Sequence, residues 1–258
     1  MSVVFTVLSV LFWASIVLSS AVLYPVALLI WLVTVPFDRR LVLLHKFTCF
    51  WASLYSWLNP AWRVRVVGRE HVRPGATYVM VANHLSFLDI LVLFRLRRHF
   101  KWVSKVEMFR IPAIGWNMRL NRYVKLRRGD KQSVLEMMAA CRRTLAEGSS
   151  VMIFPEGTRS PDGKLRAFKP GAFQLALDAH VPILPIVISG TADALPKHGF
   201  VLRGWHQIGI RVLPEVPYES FAGASFEELT ARMHALFARE TGAAPDDAAL
   251  DDTPRRSA

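Results

Sequence analysis

From Met1 to Phe37 the chain carries no charged residue, and the first basic residues are Arg39 and Arg40. About 20 apolar residues suffice to cross the hydrocarbon core of a bilayer, so this run is long enough for a membrane span and more. Tyr24-Pro25 interrupts it, which predicts either a kinked helix or two shorter helices entering and leaving one leaflet. A cleaved signal peptide fits poorly, because the amino terminus lacks a basic region and the apolar run exceeds a normal signal core. Residues 41–58, LVLLHKFTCFWASLYSWL, have only His45 and Lys46 as strong polar groups. They read as a helix in the membrane interface, with Trp51, Tyr55 and Trp57 at headgroup level; a core helix of the globular body is the alternative.

Beyond Pro60 the pattern changes to strand-length apolar runs alternating with helix-period segments. WRVRVVG, YVMVANH, KWVSK (101–105), RYVKL (122–126), VMIFPEG, VPILPIVISG and QIGIRVLPEV read as strands. FLDILVLFRLRR, KQSVLEMMAACRRTLAEG (131–148, ended by Gly148), AFQLALDA and FEELTARMHALFARET read as helices, with a short element at IPAIGWNMRL. This alternation predicts an α/β fold: a mixed, mostly parallel sheet flanked by helices, with an amino-terminal membrane-associated helical segment. Three regions follow: apolar anchoring helices over 1–58, the α/β domain over 59–242, and a small, acidic, Pro-containing tail over 243–258 that is expected to be disordered.

The polar motifs fall at predicted strand ends, where α/β sheets bind ligands. In VANHLSFLDI (81–90), His84 precedes Asp89 by five residues. On a regular helix five residues turn about 500°, so the two side chains meet only if His84 lies before the helix and folds back over its first turn. Asp89 would then hold one imidazole nitrogen and fix the tautomer. Ser86 and Asp89 also match a capping box, and the two roles are compatible. FPEGTRS (154–160) places Glu156 and Arg159 around a Gly157 turn, with a surface ion pair as the plainer reading. RRGD (127–130) and FKPG (168–171) add Arg128 and Lys169. Three cationic sites beside one candidate base point to an anionic, phosphorylated substrate.

Composition adjusts this picture only in part. The formal net charge of +12 coexists with 52% hydrophobic residues because charge and apolar surface are segregated along the chain. With the basic residues after the apolar run, the positive-inside rule places the catalytic body on the cytoplasmic face of the inner membrane. Cys49 and Cys141 are too few for a disulfide framework and read as ordinary apolar positions in a reducing compartment. No metal and no cofactor are expected, since no histidine cluster has ligand spacing. No nucleic-acid partner is expected either, because basic charge without a motif is weak evidence.

NHLSFLD, GWNMRLNRYVKLRR, FPEGTRS and VPILPIVI occur in the order and spacing of the four sequence blocks of glycerolipid acyltransferases. Over residues 83–187 the chain resembles the 1-acyl-glycerol-3-phosphate acyltransferase family. The resemblance implies transfer of a fatty acyl group from acyl-CoA or acyl-carrier protein to the free hydroxyl of lysophosphatidic acid, a membrane lipid, giving phosphatidic acid. It implies that His84 is the general base and Asp89 its orienting partner. It assigns substrate binding to Asn83 and Ser86 in the first block, Arg128 in the second, and Glu156, Gly157, Thr158 and Arg159 in the third, with Lys169 as a further cation. Pro182 and Pro185 of the fourth match a strand lining the acyl-donor side. Two positions depart from the family: Arg127, often acidic, and Arg122, usually glycine. Both are expected to make this wall of the site more basic.

Residue chemistry agrees with the implied reaction. A glycerol hydroxyl needs a base during attack, and the oxyanion formed at a thioester needs donors, for which the backbone N–H groups of residues 84–87 are candidates. Direct transfer in a ternary complex is favoured over an acyl-enzyme. The alternatives are an acyltransferase for another lysolipid, such as a lyso-ornithine lipid, and a non-catalytic membrane-anchored anion-binding protein.

Overall fold

The computed structural model describes residues 3–197 and 199–242; the predicted disordered tail lies outside the described residues. The charge-free run forms one helix, α1 (Val3–Thr34), with Pro25 inside it, rather than two. Its buried residues, Ser9, Ile16, Ser20, Ala27 and Thr34, form a narrow and mostly small stripe along its length. Outside that stripe it exposes Val7, Leu11, Leu18, Val22, Leu29 and Val33. A soluble helix shows the reverse polarity.

The chain turns back into α2 (Val42–Trp57). Here the expectation from sequence is corrected for two of its three aromatic residues. Trp51 and Tyr55 are buried, 4% and 7% exposed, because that face of α2 packs between α1 and the sheet; Trp57 stays exposed. Trp51 Nε1 donates to the Tyr55 hydroxyl at 2.7 Å, and that hydroxyl also bonds Ser19 of α1 at 2.8 Å. The exposed stripe of α2 carries Leu43, Phe50 and Trp57.

Seven strands follow: β1 (Trp62–Val67), β2 (Val79–Ala82), β3 (Phe100–Lys105), β4 (Val124–Leu126), β5 (Ser150–Ile153), β6 (Ile183–Ser189) and β7 (His206–Val212). They form one sheet in the order β1-β7-β6-β2-β5-β3-β4. All pairs are parallel except β6 with β7, so the mixed, mostly parallel sheet is as predicted. The helices are α3 (Leu88–Leu93), α4 (Ile114–Leu120), α5 (Lys131–Ala146), α6 (Gly171–Ala179), α7 (Thr191–Ala194) and α8 (Phe226–Gly242). Asp130 caps α5 by accepting from Ser133 N at 3.1 Å, and Gly148 follows that helix at φ 78°.

Strand alternation sorts the core into two layers. Met80, Ala82, Met152, Leu184 and Ile186 face the layer that includes Leu88, Phe94 and Trp102. Val79, Val81, Val151, Ile183 and Val187 face the layer built with α5, α6 and α8. The central strands are buried on both faces, which is why β2 and β6 read as continuous apolar runs. Because β2, β3, β4 and β5 are parallel, the residues that follow each of them emerge at one edge of the sheet.

Candidate active site

β2 delivers His84 to the sheet edge, and the chain turns at once into α3. His84 Nδ1 lies 2.8 Å from Asp89 Oδ2. The same oxygen accepts from Leu85 N at 2.6 Å and Ser86 N at 2.8 Å. Asp89 Oδ1 accepts the Thr191 hydroxyl proton. A carboxylate already facing donors makes Nδ1 the protonated nitrogen of the neutral imidazole, leaving the Nε2 lone pair for another partner. Capping and orientation are therefore one arrangement: Asp89 takes Ser86 N, while Ser86 Oγ accepts from Leu88 N at 3.2 Å.

The loop after β5 holds His84 from the other side. Glu156 Oε1 accepts from His84 N at 2.7 Å, and Ser160 N donates to His84 O at 2.8 Å. The Phe154 ring stacks on the imidazole, centroids 3.9 Å apart and planes 8° apart. Glu156 Oε2 accepts from Arg166 N at 3.2 Å. Burial pushes the Glu156 carboxyl up to about 7, against the pull of those two N–H donors. Gly157 takes φ 68°, and a Cβ there would sit 3.0 Å from Lys169 Cε, so the turn requires glycine.

His84 lines a largely apolar cavity of about 590 Å³, a size suited to a small-molecule or lipid ligand. Its walls come from elements far apart in sequence: Trp13, Ile16 and Val17 of α1, Trp51 and Tyr55 of α2, Ile90 and Leu91 of α3, and Ile114 and Met118 of α4. Lys105, Arg128, Thr158 and Arg159 bring polar groups to the same cavity. Among the described residues Arg128 and Arg159 make no ion pair within 4 Å. Burial lowers the pKa of Arg128; Glu107 opposes that shift and the neighbouring Arg159 adds to it. Lys105 Nζ lies 3.9 Å from Glu107 Oε2.

The structure thus brings together His84, Asp89, Arg128, Thr158 and Arg159, and redistributes the other expected site residues. Asn83 does not line the cavity: its amide donates to Ile188 O at 2.9 Å and accepts from Ile188 N at 2.7 Å, tying β2 to β6. Ser86 Oγ donates to Leu195 O at 2.6 Å and is fully buried. Glu156 serves the backbone of His84 and Arg166 rather than the cavity, and the plainer reading, an ion pair with Arg159, does not form either. Lys169 packs over Gly157 outside the cavity lining. Pro182 and Pro185 are also absent from that lining; Pro185 sits within β6, in register with Val81. Arg122 turns its guanidinium to the Arg39 carbonyl at 3.3 Å, and its φ of 54° is the conformation that a glycine adopts freely. Arg127 is exposed and lies outside the lining too, so neither departure makes the cavity more basic. Of the expected oxyanion donors, the N–H groups of His84, Leu85 and Ser86 are already used, while Phe87 N has no partner among the described residues. Sequence reading missed Lys105, because a lysine ending a strand carries no motif, and it missed the apolar wall. Among the described residues no group of three or more His, Cys, Asp or Glu could hold a metal.

A histidine–carboxylate dyad thus stands at the carboxyl edge of the sheet's parallel strands and opens on an apolar cavity that it shares with two arginines lacking an ion pair among the described residues. A family model described as Acyltransferase matches residues 63–189 of this chain. It is 44% identical over 163 residues to a 1-acyl-sn-glycerol-3-phosphate acyltransferase of Chlamydomonas reinhardtii, covering 62% of this chain and 48% of that protein. It is 37% identical over 161 residues to human 1-acyl-sn-glycerol-3-phosphate acyltransferase alpha, covering 61% and 56% respectively. The chain thus spans about half the length of the curated relatives it matches. Its fold is that of the crystal structure of the 1-acyl-sn-glycerophosphate (LPA) acyltransferase PlsC from Thermotoga maritima, with a TM-score of 0.72 at 24% identity over 92% of this chain and 95% of that one.

Two predictions follow from this geometry. Asn83→Ala orphans a buried N–H and a buried C=O of Ile188 and should destabilise the protein by about 2–4 kcal/mol in denaturant melts. An unchanged midpoint with a raised acceptor KM would return Asn83 to substrate binding. A Glu156 carboxyl raised to about 7 in the folded state, from an ordinary value of 4.5, binds a proton more readily folded than unfolded. Stability from this group is therefore present below about pH 4.5 and lost as pH rises towards 7, by up to about 3 kcal/mol. Glu156→Gln should flatten the stability profile in that window, which denaturant midpoints measured across pH will show.

Proposed function

We propose that this chain transfers a fatty acyl group from a thioester, acyl-CoA or acyl-carrier protein, to the free hydroxyl of lysophosphatidic acid, giving phosphatidic acid. The observation that carries the reading is His84, bound through Nδ1 to a buried carboxylate and lining an apolar cavity that two unpaired arginines share. Nε2 takes the proton of the glycerol hydroxyl as its oxygen attacks the thioester carbonyl carbon. The oxyanion that forms has Phe87 N–H as its nearest uncommitted backbone donor in this turn. Collapse breaks the carbon–sulfur bond, and the departing thiolate recovers the proton from the imidazolium. A direct transfer is supported by what the other nucleophiles do: Cys49 and Cys141 are buried, with thiols pushed up to about 12, and Ser86 is spent on Leu195.

The acceptor's phosphate is assigned to Arg128 and Arg159, with Lys105 beside them. A lyso-ornithine acceptor would keep the dyad and leave those two arginines without an anion. A non-catalytic anion-binding protein would have no use for the imidazole geometry. The apolar wall suits acyl chains. The chain is placed on the cytoplasmic face of the inner membrane, with α1 in one leaflet. Its contact stripe from Ser9 to Thr34 runs roughly 38 Å beside the body at 1.5 Å per residue, so an upright span would draw the α/β body into hydrocarbon.

His84→Ala should lower kcat by roughly 10² to 10⁴ or more in a purified assay with lysophosphatidic acid and acyl-CoA, with the fold intact. Near-normal turnover by the folded variant would refute the base. Arg159→Lys keeps charge but loses the two-pronged phosphate grip. Losing a charge-assisted contact should raise the KM for lysophosphatidic acid about ten- to hundredfold and leave that for acyl-CoA little changed. Equal changes for both substrates would remove the phosphate assignment.

A further inference from the structure

Four arginines, Arg69, Arg95, Arg97 and Arg98, gather beside the exposed end of α2, and the acyl-transfer site uses none of them. Arg69 Nη2 donates to the Arg95 carbonyl at 2.8 Å, and Arg98 Nη2 to the Arg69 carbonyl at 3.4 Å. These bonds join the turn after β1 and the turn after α3 into one surface. Arg95 Nη1 reaches the Ser56 hydroxyl at 3.2 Å. The Arg95 and Arg97 guanidiniums each lie 5.2 Å from the centre of the Trp57 ring. Among the described residues none of the four forms an ion pair with a carboxylate, not even with Glu70 next to Arg69. Burial, then repulsion from its neighbours, lowers the pKa values of both Arg69 and Arg95. The cluster is thus a half-exposed concentration of positive charge that has no carboxylate partner among the described residues.

Its setting identifies the anion. Trp57 ends the exposed apolar stripe of α2, after Leu43 and Phe50, and Leu58 beyond it is 76% exposed. Arg97 and Arg98 precede β3, whereas Lys105 at the other end of that strand lines the catalytic cavity. Six strand residues put the two cationic sites roughly 17 Å apart at 3.3 Å per residue. We propose that this cluster binds the phosphate groups of anionic phospholipids in the bilayer surface, with Trp57 as its apolar floor at headgroup level. An indole is at home in that layer, its face accepts guanidinium cations, and those cations retain edges for phosphate oxygens. The proposal rests on the membrane reading of α1 and α2, and the site is distinct from the one for the substrate's phosphate.

The test uses the full-length protein and flotation with two kinds of vesicle: phosphatidylcholine alone, and phosphatidylcholine mixed with phosphatidylglycerol. Wild type should bind both, and the mixed vesicles more tightly. Each arginine near a charged surface contributes about fivefold in partitioning, so Arg97→Gln should weaken the anionic increment about fivefold and Arg95→Gln/Arg97→Gln about twenty-five-fold. Both variants should retain binding to neutral vesicles. Arg97→Gln keeps the test valid if the double variant folds poorly, since among the described residues the Arg97 side chain makes no hydrogen bond and its contact is the Trp57 ring. Lys131→Gln/Arg143→Gln on α5 changes net charge equally and should leave the increment intact. A full increment in the cluster variants, or an equal loss in the α5 control, overturns the proposal. Failure of wild type to bind neutral vesicles overturns instead the membrane reading beneath it.

Discussion

A carboxylate shut off from solvent is acceptable only when donors surround it, and the site is organised around that requirement at Asp89. Four donors converge on it: His84 Nδ1, the N–H groups of Leu85 and Ser86, and the Thr191 hydroxyl. Two of these fix the turn between β2 and α3, one fixes the imidazole, and the fourth ties in α7, which follows β6. The histidine therefore cannot move without exposing a buried charge to unmet demand. Orientation of the imidazole and capping of the helix are consequences of one electrostatic constraint.

Glu156 solves a different problem with the same functional group. It too is buried, but its two oxygens meet two backbone N–H groups and no cation, and its carboxyl is raised towards neutrality. What it provides is a clasp. Glu156 holds His84 N, Ser160 N holds His84 O, and Phe154 covers the imidazole face, so three residues of one loop grip His84 through its main chain and its ring. The glycine in that loop is needed by its positive φ and by the lysine packed over it. The polar motif after β5 thus holds His84, while Phe154, Thr158 and Arg159 of its members line the cavity.

The parts of this arrangement that were legible in sequence are local. Strand runs, the Gly148 helix stop, and the spacing of His84 and Asp89 depend on neighbours a few residues away, and all seven strands lie where apolar runs predict them. What was illegible depends on partners far along the chain. Asn83 finds Ile188 at 105 residues' separation and Glu156 finds His84 at 72, so two polar residues that read as ligand contacts are structural ties. Trp51 and Tyr55 have the composition of interfacial aromatics, and only packing between α1 and the sheet shows them to be cavity wall. Arg122 and Arg127 looked like additions to the site because sequence gives position but not direction.

The same distinction explains the amino-terminal helix. An apolar helix that merely anchored a protein would need no complementary face, yet α1 places Ser9, Ile16, Ser20, Ala27 and Thr34 against the body. Its polar atoms are used there: Leu202 N donates to Ser9 Oγ at 2.8 Å, and Trp13 Nε1 donates to Phe200 O at 2.9 Å. Small residues permit the close approach, and the larger Trp13, Ile16 and Val17 reach the cavity that His84 lines. The helix therefore has apolar surface on both sides: outward an exposed face that the proposed membrane reading would cover with lipid, inward a wall of the apolar cavity. On the proposed membrane reading, a helix that is both anchor and wall would couple the depth of the protein at the bilayer to the shape of the cavity that His84 lines.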